Sequence, residues 1–282
     1  MSKNIGDDDL RQWRLSIAKS FRALEVGSLA LRPQINSLAP CGASGNCVAN
    51  NIDTFDSAGN SALRPESALG LNLSYEHGFG NDSQIDLEVF SRAIDNKNGT
   101  EIALESVPWS TTQRYVARPV NLGKARASGL NIEAALAMKD FLGKDAPSLS
   151  IRGSLSVARS RIASIVGPDN RLDNQPPWRA KLGASYTLKN APLKFDLDGN
   201  WSPSFLARVG DNHRMAFARR SEQSASASWT FATGQRLIFK VRNLLPTTAT
   251  QIDEYTLPAE TIRLVTEARR YSAVSVQFST KL

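Results

Sequence analysis

The sequence predicts an all-β protein, an antiparallel up-and-down transmembrane β-barrel with about ten strands. Three observations support this fold class. Apolar and polar residues alternate with a period of two through most of the chain, which is typical of a sheet with two different faces. The connections between these segments alternate between short and long. Aromatic residues stand near the ends of the apolar faces, where a membrane-crossing strand meets the lipid headgroups.

The alternating segments run from one end of the chain to the other, and almost no stretch has a helical period. The longest is 114–136, which we interpret as one amphipathic strand. The predicted strands are 13–21, 71–76, 85–89, 114–136, 149–157, 178–186, 193–201, 225–231, 237–241 and 274–278, the last continuing to 282. Strict alternation in so many segments indicates an antiparallel sheet.

The connections between the predicted strands fall into two classes by length. Short turns are predicted at 78–82, 140–147, 189–192 and 233–235. Long loops are predicted at 24–66, 95–113, 163–175, 204–219 and 244–268. Because the two classes alternate along the whole chain, the long loops all lie at one end of the sheet. A membrane barrel has this arrangement, with short periplasmic turns and long outer loops, whereas a Greek-key sandwich does not require it.

The two faces of the predicted strands differ in charge. One face is made of aliphatic and aromatic residues. The other carries five charged residues that we predict to line a lumen or contact a ligand: Arg152, Arg179, Lys181, Asp196 and Asp198. Trp178 and Tyr186 lie at opposite ends of one apolar face, and about eight residues of a strand tilted by ~45° span roughly 20 Å, close to the apolar band of a bilayer. Packing of these aromatic residues in the core of a soluble β-sandwich is the alternative.

The composition is that of a folded protein, with 41% hydrophobic and 22% charged residues among 282. The net charge of +7 comes from dispersed Lys and Arg residues, a pattern that does not indicate a nucleic-acid partner. No apolar run reaches the ~18 residues of a transmembrane helix, and no signal-peptide core follows Met1. The missing signal indicates either a cytosolic protein or a piece of a longer chain.

Cys41 and Cys47 are the two cysteines of the chain and enclose a short loop rich in small residues. A disulfide across this loop fits an oxidising compartment, and two free thiols fit the cytosol. A zinc site would require two further ligands, and the only histidines are His77 and His213, so we predict no metal site. The cysteine pair is a candidate loop disulfide.

Six short motifs follow one another along the chain. They are Asn-Ser-Ala-Leu-Arg-Pro-Glu at 60–66, Tyr75 with Glu76, Phe90 with Arg92, Asn-Leu-Gly-Lys-Ala-Arg-Ala-Ser-Gly-Leu-Asn-Ile-Glu at 121–133, Asn-Gln-Pro-Pro-Trp at 174–178 and Val-Arg-Asn-Leu-Leu at 241–245. In this order and spacing they resemble the TonB-dependent receptors of Gram-negative outer membranes. The chain departs from the family pattern at Asn131, where a glutamate is usual, and at Leu282, where an aromatic residue is usual.

The resemblance implies a barrel of about 22 strands closed around a plug, of which 1–282 would be the C-terminal segment. The plug and the first dozen or so strands would be absent, in agreement with the missing signal peptide. The implied function is a receptor of the bacterial outer membrane for energy-coupled uptake of a scarce nutrient, a ferric siderophore by family default, with oligosaccharides and cobalamin as alternatives. Its partners would be this nutrient, outer-membrane lipid and, only through the missing plug region, the inner-membrane TonB complex. We expect no cofactor and no transport by the isolated segment.

No nucleophile elbow, phosphate-binding loop or His-Glu-x-x-His zinc motif is present, and we predict that the chain is not an enzyme. The residues that most resemble a catalytic group are Asp211 and His213 on a predicted outer loop, because some outer-membrane proteases of about ten strands activate water with Asp and His. A self-contained ten-stranded porin or protease is therefore one alternative to the receptor segment, and a soluble β-sandwich binding module is another. In the receptor hypothesis, His213 is a ligand-facing residue.

Overall fold

The computed structural model describes residues 2–4, 11–42, 44–173, 175–256 and 261–280. The strands are β1 (Ser2–Asn4), β2 (Arg11–Arg22), β3 (Asp56–Ser57), β4 (Glu66–Phe79), β5 (Ser83–Asp95), β6 (Asn98–Glu105), β7 (Arg114–Asn121), β8 (Ala125–Ala137), β9 (Ser148–Ile162), β10 (Trp178–Thr187), β11 (Leu193–Ser202), β12 (Phe205–Arg208), β13 (His213–Phe217), β14 (Arg220–Thr230), β15 (Arg236–Arg242), β16 (Ala249–Thr256), β17 (Thr261–Ala268) and β18 (Ala273–Ser279). Two short helices, α1 (Val26–Ala30) and α2 (Met138–Leu142), lie in connections. Neither of these two helices is long and apolar enough to cross a membrane.

Eleven strands form one sheet, in the order β1-β2-β4-β5-β8-β9-β10-β11-β14-β15-β18. Every neighbouring pair is antiparallel, and the order follows the chain once the strands of the long connections are set aside. Ten of these strands are long, and β1 adds only three residues at the edge. The predicted all-β, up-and-down fold is therefore confirmed, and the β-sandwich alternative is wrong. Within the described residues the two outermost strands do not pair, so the sheet is the open wall of a partial barrel.

The connections at one end of this sheet are short, as predicted. Three residues join β4 to β5, with Gly80 at φ +62°, and five join β14 to β15, with Gly234 at φ +81°. Glycine suits both positions because a residue with a Cβ is strained in the left-handed conformation. The last strand ends at Ser279, and the predicted continuation through Lys281 and Leu282 lies outside the described residues, as does Asn174 of the loop motif.

Four of the five predicted long loops contain strands of their own. β3 lies within 24–66, β6 within 95–113, β12 and β13 within 204–219, and β16 and β17 within 244–268. β3, β7 and β6 form a three-stranded sheet, and β12, β13, β16 and β17 form a four-stranded one. Six of these seven strands, all but β7, lie in segments predicted as loops and have two to eight residues. Residues 257–260 of the last predicted loop are not described.

The segment 114–136, predicted as one strand, is two strands in different sheets. β7 pairs with β3 and β6, whereas β8 pairs with β5 and β9. The chain turns between them at Gly123, which has φ +78°. Two backbone hydrogen bonds hold this turn, from Leu122 N–H to the Lys97 carbonyl at 2.6 Å and from Lys97 N–H to the Gly123 carbonyl at 2.8 Å. The prediction was wrong because these long-range bonds leave no mark on the local alternation.

One face of the main sheet is apolar and exposed to solvent. Cross-strand neighbours on this face include Leu73 with Val89 and Phe239 with Val276, and Leu197 is 54% exposed. One buried hydrophobic cluster lies at the small sheets, where Ile52, Ile102, Ala117 and Tyr255 pack together, and another lies at the ends of β5, β8 and β9, where Ile94, Ala125 and Ile162 pack together. Such a wide exposed apolar face is suited to an apolar environment rather than to water.

Candidate ligand-binding surfaces

The opposite, polar face of the main sheet holds an ion pair between strands that are not neighbours. Arg152 on β9 and Asp198 on β11 approach to 2.5 Å between Nη2 and Oδ1. β10 lies between them, and its residue Gly183 is directly opposite both. A Cβ at Gly183 would lie 2.7 Å from Arg152 Nε and 2.8 Å from Asp198 Oδ1. The missing side chain therefore leaves the space in which the ion pair forms.

A second polar group adjoins this pair. Ser185 donates a hydrogen bond to Asp196 Oδ1 at 2.5 Å and accepts one from Arg152 Nη1 at 3.4 Å. Lys194 Nζ lies 3.0 Å from the same Asp196 oxygen. Arg152 thus connects Asp198 with the group formed by Ser185, Asp196 and Lys194.

Arg179 and Lys181 lie further along β10 on the same face. Arg179 is opposite Ser156, and Lys181 is opposite Ser154 and Asn200. All five main-sheet residues selected from the sequence are thus placed on one face.

Carboxylates predominate on the adjoining part of this face. Glu76, Asp86 and Glu133 form one cross-strand row over β4, β5 and β8, and the row continues through Ser154 to Lys181. An open cavity of about 520 Å³ lies where the carboxylates meet the cations. The polar face therefore presents an acidic band beside a band of mixed charge, which holds Arg152, Arg179 and Lys181 together with Asp196 and Asp198.

Asn131, the departure from the family motif, lies within the acidic band. Its side-chain amide donates to Glu88 Oε1 at 2.9 Å, and its amide oxygen accepts from Ser156 Oγ at 2.7 Å. An asparagine can make both bonds because it has a donor and an acceptor, whereas a glutamate would face Glu88 with a like charge.

His213 is not on the main sheet. It begins β13 in the four-stranded sheet, where its Nε2 lies 2.9 Å from Asp253 Oδ1 and its ring stacks on Tyr255 at 4.2 Å between centroids. Asp211, its predicted companion, is exposed. Cavities of about 420 and 290 Å³ adjoin His213. Asp253 could not be found by sequence reasoning, because it is 40 residues away in a predicted loop.

Tyr255 links this group to the neighbouring small sheet. It is 8% exposed and packs with Ile102 and Ala117 of β6 and β7. Burial, together with the nearby Asp253 carboxylate, raises the pKa of its phenol above 10.0. His213 is therefore held in a packed junction between two sheets. Among the described residues, no group of three or more His, Cys, Asp and Glu residues could hold a metal ion.

Arg114 and Asp56 form a fully buried ion pair that the sequence did not reveal. Both side chains are 0% exposed, and Arg114 Nε and Nη2 donate to the Asp56 carboxylate at 2.8 Å. The guanidinium also donates to the carbonyls of Val48 at 2.5 Å and Ala39 at 2.8 Å. These bonds attach the segment 36–57 to the β6–β7 hairpin, and we call this assembly the loop cap.

The carboxylate of Asp56 accepts further bonds within the loop cap. Asn36 N–H and the Trp109 indole N–H each donate to it at 3.1 Å. Burial raises the pKa of the Asp56 carboxyl, but the hydrogen bonds from Arg114, Asn36 and Trp109 outweigh that effect and hold the pKa below the usual 3.8.

Cys41 and Cys47 form a disulfide at the rim of the loop cap. The loop that it closes contacts the segment before β7, because Thr111 N–H donates to the Gly45 carbonyl at 3.0 Å. Ala39 and Val48, whose carbonyls accept from Arg114, flank the two cysteines. The disulfide and the buried ion pair therefore both constrain the same loop.

Comparison with known proteins identifies the fold and the family. A family model described as TonB dependent receptor-like, beta-barrel, matches residues 6–253. A ferric enterobactin receptor variant from Pseudomonas aeruginosa, solved with enterobactin, gives a TM-score of 0.59 at 13% identity, over 88% of this chain and 34% of that one. The siderophore receptor PirA from Pseudomonas aeruginosa gives 0.58 at 16% identity, over 97% of this chain and 41% of that one. The copper transporter OprC gives a TM-score of 0.58 at 15% identity, over 90% of this chain and 33% of that one.

No sequence among curated proteins matches the chain. At the identities of the three structures the likeness establishes the fold alone, and the chain spans between 33% and 41% of their lengths. The family match covers most of the chain, and the long strands pair in the sequential order of a barrel wall. The chain therefore belongs to the TonB-dependent receptor family and represents part of its β-barrel.

Proposed function

We propose that this chain forms part of the wall of an outer-membrane receptor for energy-coupled uptake of a scarce nutrient, and that the nutrient is a ferric siderophore. The observation that carries the proposal is the family match over residues 6–253, because members of this family are transporters rather than enzymes. Two of the similar structures are siderophore receptors, one of them bound to enterobactin.

The geometry supports this role. The exposed apolar face of the main sheet is suited to contact with membrane lipid, and the polar face with its acidic and mixed-charge bands is suited to a water-filled lumen. Arg152, Arg179, Lys181, Asp196 and Asp198 would line that lumen. The loop cap and the four-stranded sheet lie at the end with the long connections, where we place the entry of the nutrient.

We attribute to residues 1–282 only a part of the transport process. The chain corresponds to about a third of the length of the enterobactin receptor that it resembles. In our proposal the inner-membrane TonB complex acts through a plug region that lies outside these residues. We therefore expect ligand binding by this chain, and no uptake by it in isolation.

Two measurements test the proposal. The chain is expressed in a Gram-negative host with a secretion signal, and the membranes are fractionated; recovery in the soluble fraction without detergent would contradict a membrane wall. The purified chain in detergent is then titrated with ferric enterobactin while the fluorescence of its five tryptophans is recorded. Saturable quenching supports a siderophore receptor, and its absence with every ferric siderophore tested would exclude one.

The same preparation tests the protease alternative. Peptide hydrolysis that His213→Ala abolishes would establish an enzyme. We expect none, because His213 contacts a single carboxylate, Asp253, and stacks on Tyr255 in a packed junction.

A further inference from the structure

Three arginines lie together on the apolar face of the main sheet, at the end with the long connections. Arg126 on β8 is directly opposite Arg161 on β9, and Arg159 is two residues before Arg161 on the same strand. Side chains two residues apart in a strand, and those of cross-strand partners, point to the same face. By the same alternation this face also carries Leu130 and Val157, which are partners further along the two strands. We call Arg126, Arg159 and Arg161 the arginine patch.

The arginine patch is not neutralised by the chain. All three side chains are exposed, and none forms an ion pair or a side-chain hydrogen bond with another described residue. Asp95, at the end of β5, shares this face, but no ion pair joins it to an arginine. Like charges in directly opposite positions destabilise a sheet, so Arg126 and Arg161 oppose folding unless an external anion joins them.

The arginine patch lies at the edge of an exposed apolar band. One row of cross-strand partners in this band crosses six strands and consists of Leu15, Leu73, Val89, Leu130, Val157 and Trp178. All of these except Leu130 are exposed. Arg159 and Arg161 are two and four residues beyond Val157, about 7 and 13 Å along the strand. If the apolar row lies in hydrocarbon with Trp178 near its boundary, the arginines lie at the level of the lipid headgroups.

We propose that the arginine patch binds the phosphate groups of an acidic lipid in the leaflet on the side of the long connections. Guanidinium groups hold phosphate oxygens through paired, charge-assisted hydrogen bonds. The apolar band next to the patch accommodates the acyl chains of the same molecule, which a soluble anion lacks. The lipid phosphate also supplies the counter-charge that Arg126 and Arg161 do not find within the described chain.

This inference rests on the membrane wall of the proposed function and is independent of the nutrient. The proposed lumen residues are on the polar face of the sheet, whereas the arginine patch is on the apolar face. The lipid would therefore bind outside the wall and leave the path of the nutrient free.

The test compares two double variants that each remove two positive charges from the same end of the main sheet. Arg126→Gln with Arg161→Gln removes the directly opposed pair. Arg22→Gln with Arg92→Gln is the matched control, because both residues are exposed but lie on the polar face, where Arg22 is opposite Glu66. The chain is purified in a neutral detergent, and native mass spectrometry counts the lipid molecules bound. The probes are lipid A, which carries two phosphate groups, phosphatidylcholine, and inorganic phosphate.

We expect the Arg126/Arg161 variant to bind lipid A about tenfold to a hundredfold more weakly than the wild type, since each lost charge-assisted contact weakens binding by roughly tenfold. The control variant should bind as the wild type does, and retention of phosphatidylcholine should be the same in all three. Replacing Arg126 and Arg161 by lysine should restore part of the affinity, because the charge returns without the planar fork. Equal affinities of the test and control variants for lipid A would overturn the inference. Inorganic phosphate bound as tightly as lipid A would overturn the assignment to a lipid.

Thermal unfolding in the same detergent gives a second readout. Without lipid, the single variant Arg126→Gln should melt at a higher temperature than the wild type, because it removes the repulsion from Arg161. Lipid A should raise the melting temperature of the wild type more than that of Arg126→Gln, and an equal rise would contradict the arginine patch. Recovery of the chain in the soluble fraction without detergent would refute the membrane wall itself. A membrane-bound chain whose test and control variants behave alike would refute only the lipid site.

Discussion

Arg114 on β7 and Asp56 on β3 form an ion pair from which water is fully excluded, with 2.8 Å between Nη2 and Oδ1. Neither charge is left without partners, because Asp56 also accepts from Asn36 and Trp109 while Arg114 also donates to two carbonyls. Such a pair adds little net stability compared with apolar packing. Loss of one partner, however, leaves the other charge buried and unpaired in a low-dielectric interior, which is strongly destabilising. The pair therefore makes the loop cap sensitive to changes at either residue.

Arg114→Met should open the loop cap. The buried Asp56 carboxylate would lose its counter-charge, and we expect the free energy of cap opening to fall by about 3–5 kcal/mol. Hydrogen exchange of the amides in β3 and β7 measures this. Arg118→Met on the same strand is the control: its partner Glu105 is 2.7 Å away but both side chains are about one-third exposed, so the expected loss is about 1 kcal/mol. Equal losses would show that burial does not decide the effect.

Acid should open the same cap. In the folded chain the pKa of Asp56 lies below its usual 3.8. The ionised carboxylate therefore stabilises the loop cap fully above about pH 3.8, and this stabilisation is lost as the pH falls through the pKa of the folded state. Limited digestion with pepsin, which works in acid, should therefore cleave between residues 36 and 57 only below about pH 3.8. In Asp56→Asn this segment should be cleaved at every pH tested. Cleavage of the wild type that does not vary with pH would contradict the assignment.

Gly183→Ala should disturb the ion pair on the polar face, because its new Cβ would lie within 3 Å of both Arg152 and Asp198. Gly153→Ala on β9 is the matched control, since the nearest atom there is the Lys181 carbonyl oxygen at 3.7 Å. In a strand, alanine gains about 0.5–1 kcal/mol over glycine through backbone entropy. Both ionic side chains are partly exposed, so we expect Gly183→Ala to be about 1 kcal/mol less stable than Gly153→Ala in urea unfolding. Adding Arg152→Ala to each should abolish this difference, and a persistent difference would place the strain in the backbone.

Asp253→Asn should loosen the junction between the small sheets. His213 would lose its anionic acceptor, which we expect to cost about 1 kcal/mol, seen as faster hydrogen exchange in β13 and β16. Asp211→Asn should change nothing, because that side chain is exposed. A larger effect of Asp211→Asn would restore the pairing with His213 that was expected from the sequence.

The main sheet was predictable because apolar and polar residues alternate along each of its long strands. This alternation can be recognised in the sequence without knowing which strands pair. Trp178 and Tyr186, Leu71 and Leu197 all follow the predicted face. The small sheets were not predictable, since β3 and β12 have only two and four residues, and the pairings of β3 with β7 and of β13 with β16 join segments far apart in the sequence.

Most contacts between side chains could not be predicted from the sequence. Arg152 and Asp198 could be assigned to one face, but their contact depends on Gly183 in a third strand. Arg114 is the first residue of a predicted strand and looks like any exposed basic residue there. Only the folded chain, which brings Asp56 from 58 residues away, shows that it is buried.

The spacing of Asp56 and Arg114 along the chain also leads to an expectation about the order of folding. β4 and β5 lie between Asp56 and Arg114 in the sequence, so we expect the intervening hairpin to form before the two charges meet. Until then the Asp56 carboxylate remains hydrated, because a buried carboxylate without a partner is strongly unfavourable. Closing so long a loop is slow compared with forming a hairpin. We therefore expect the loop cap to become ordered after the β4–β5 hairpin, and pulse-labelled amides of β3 should gain protection after those of β4 and β5.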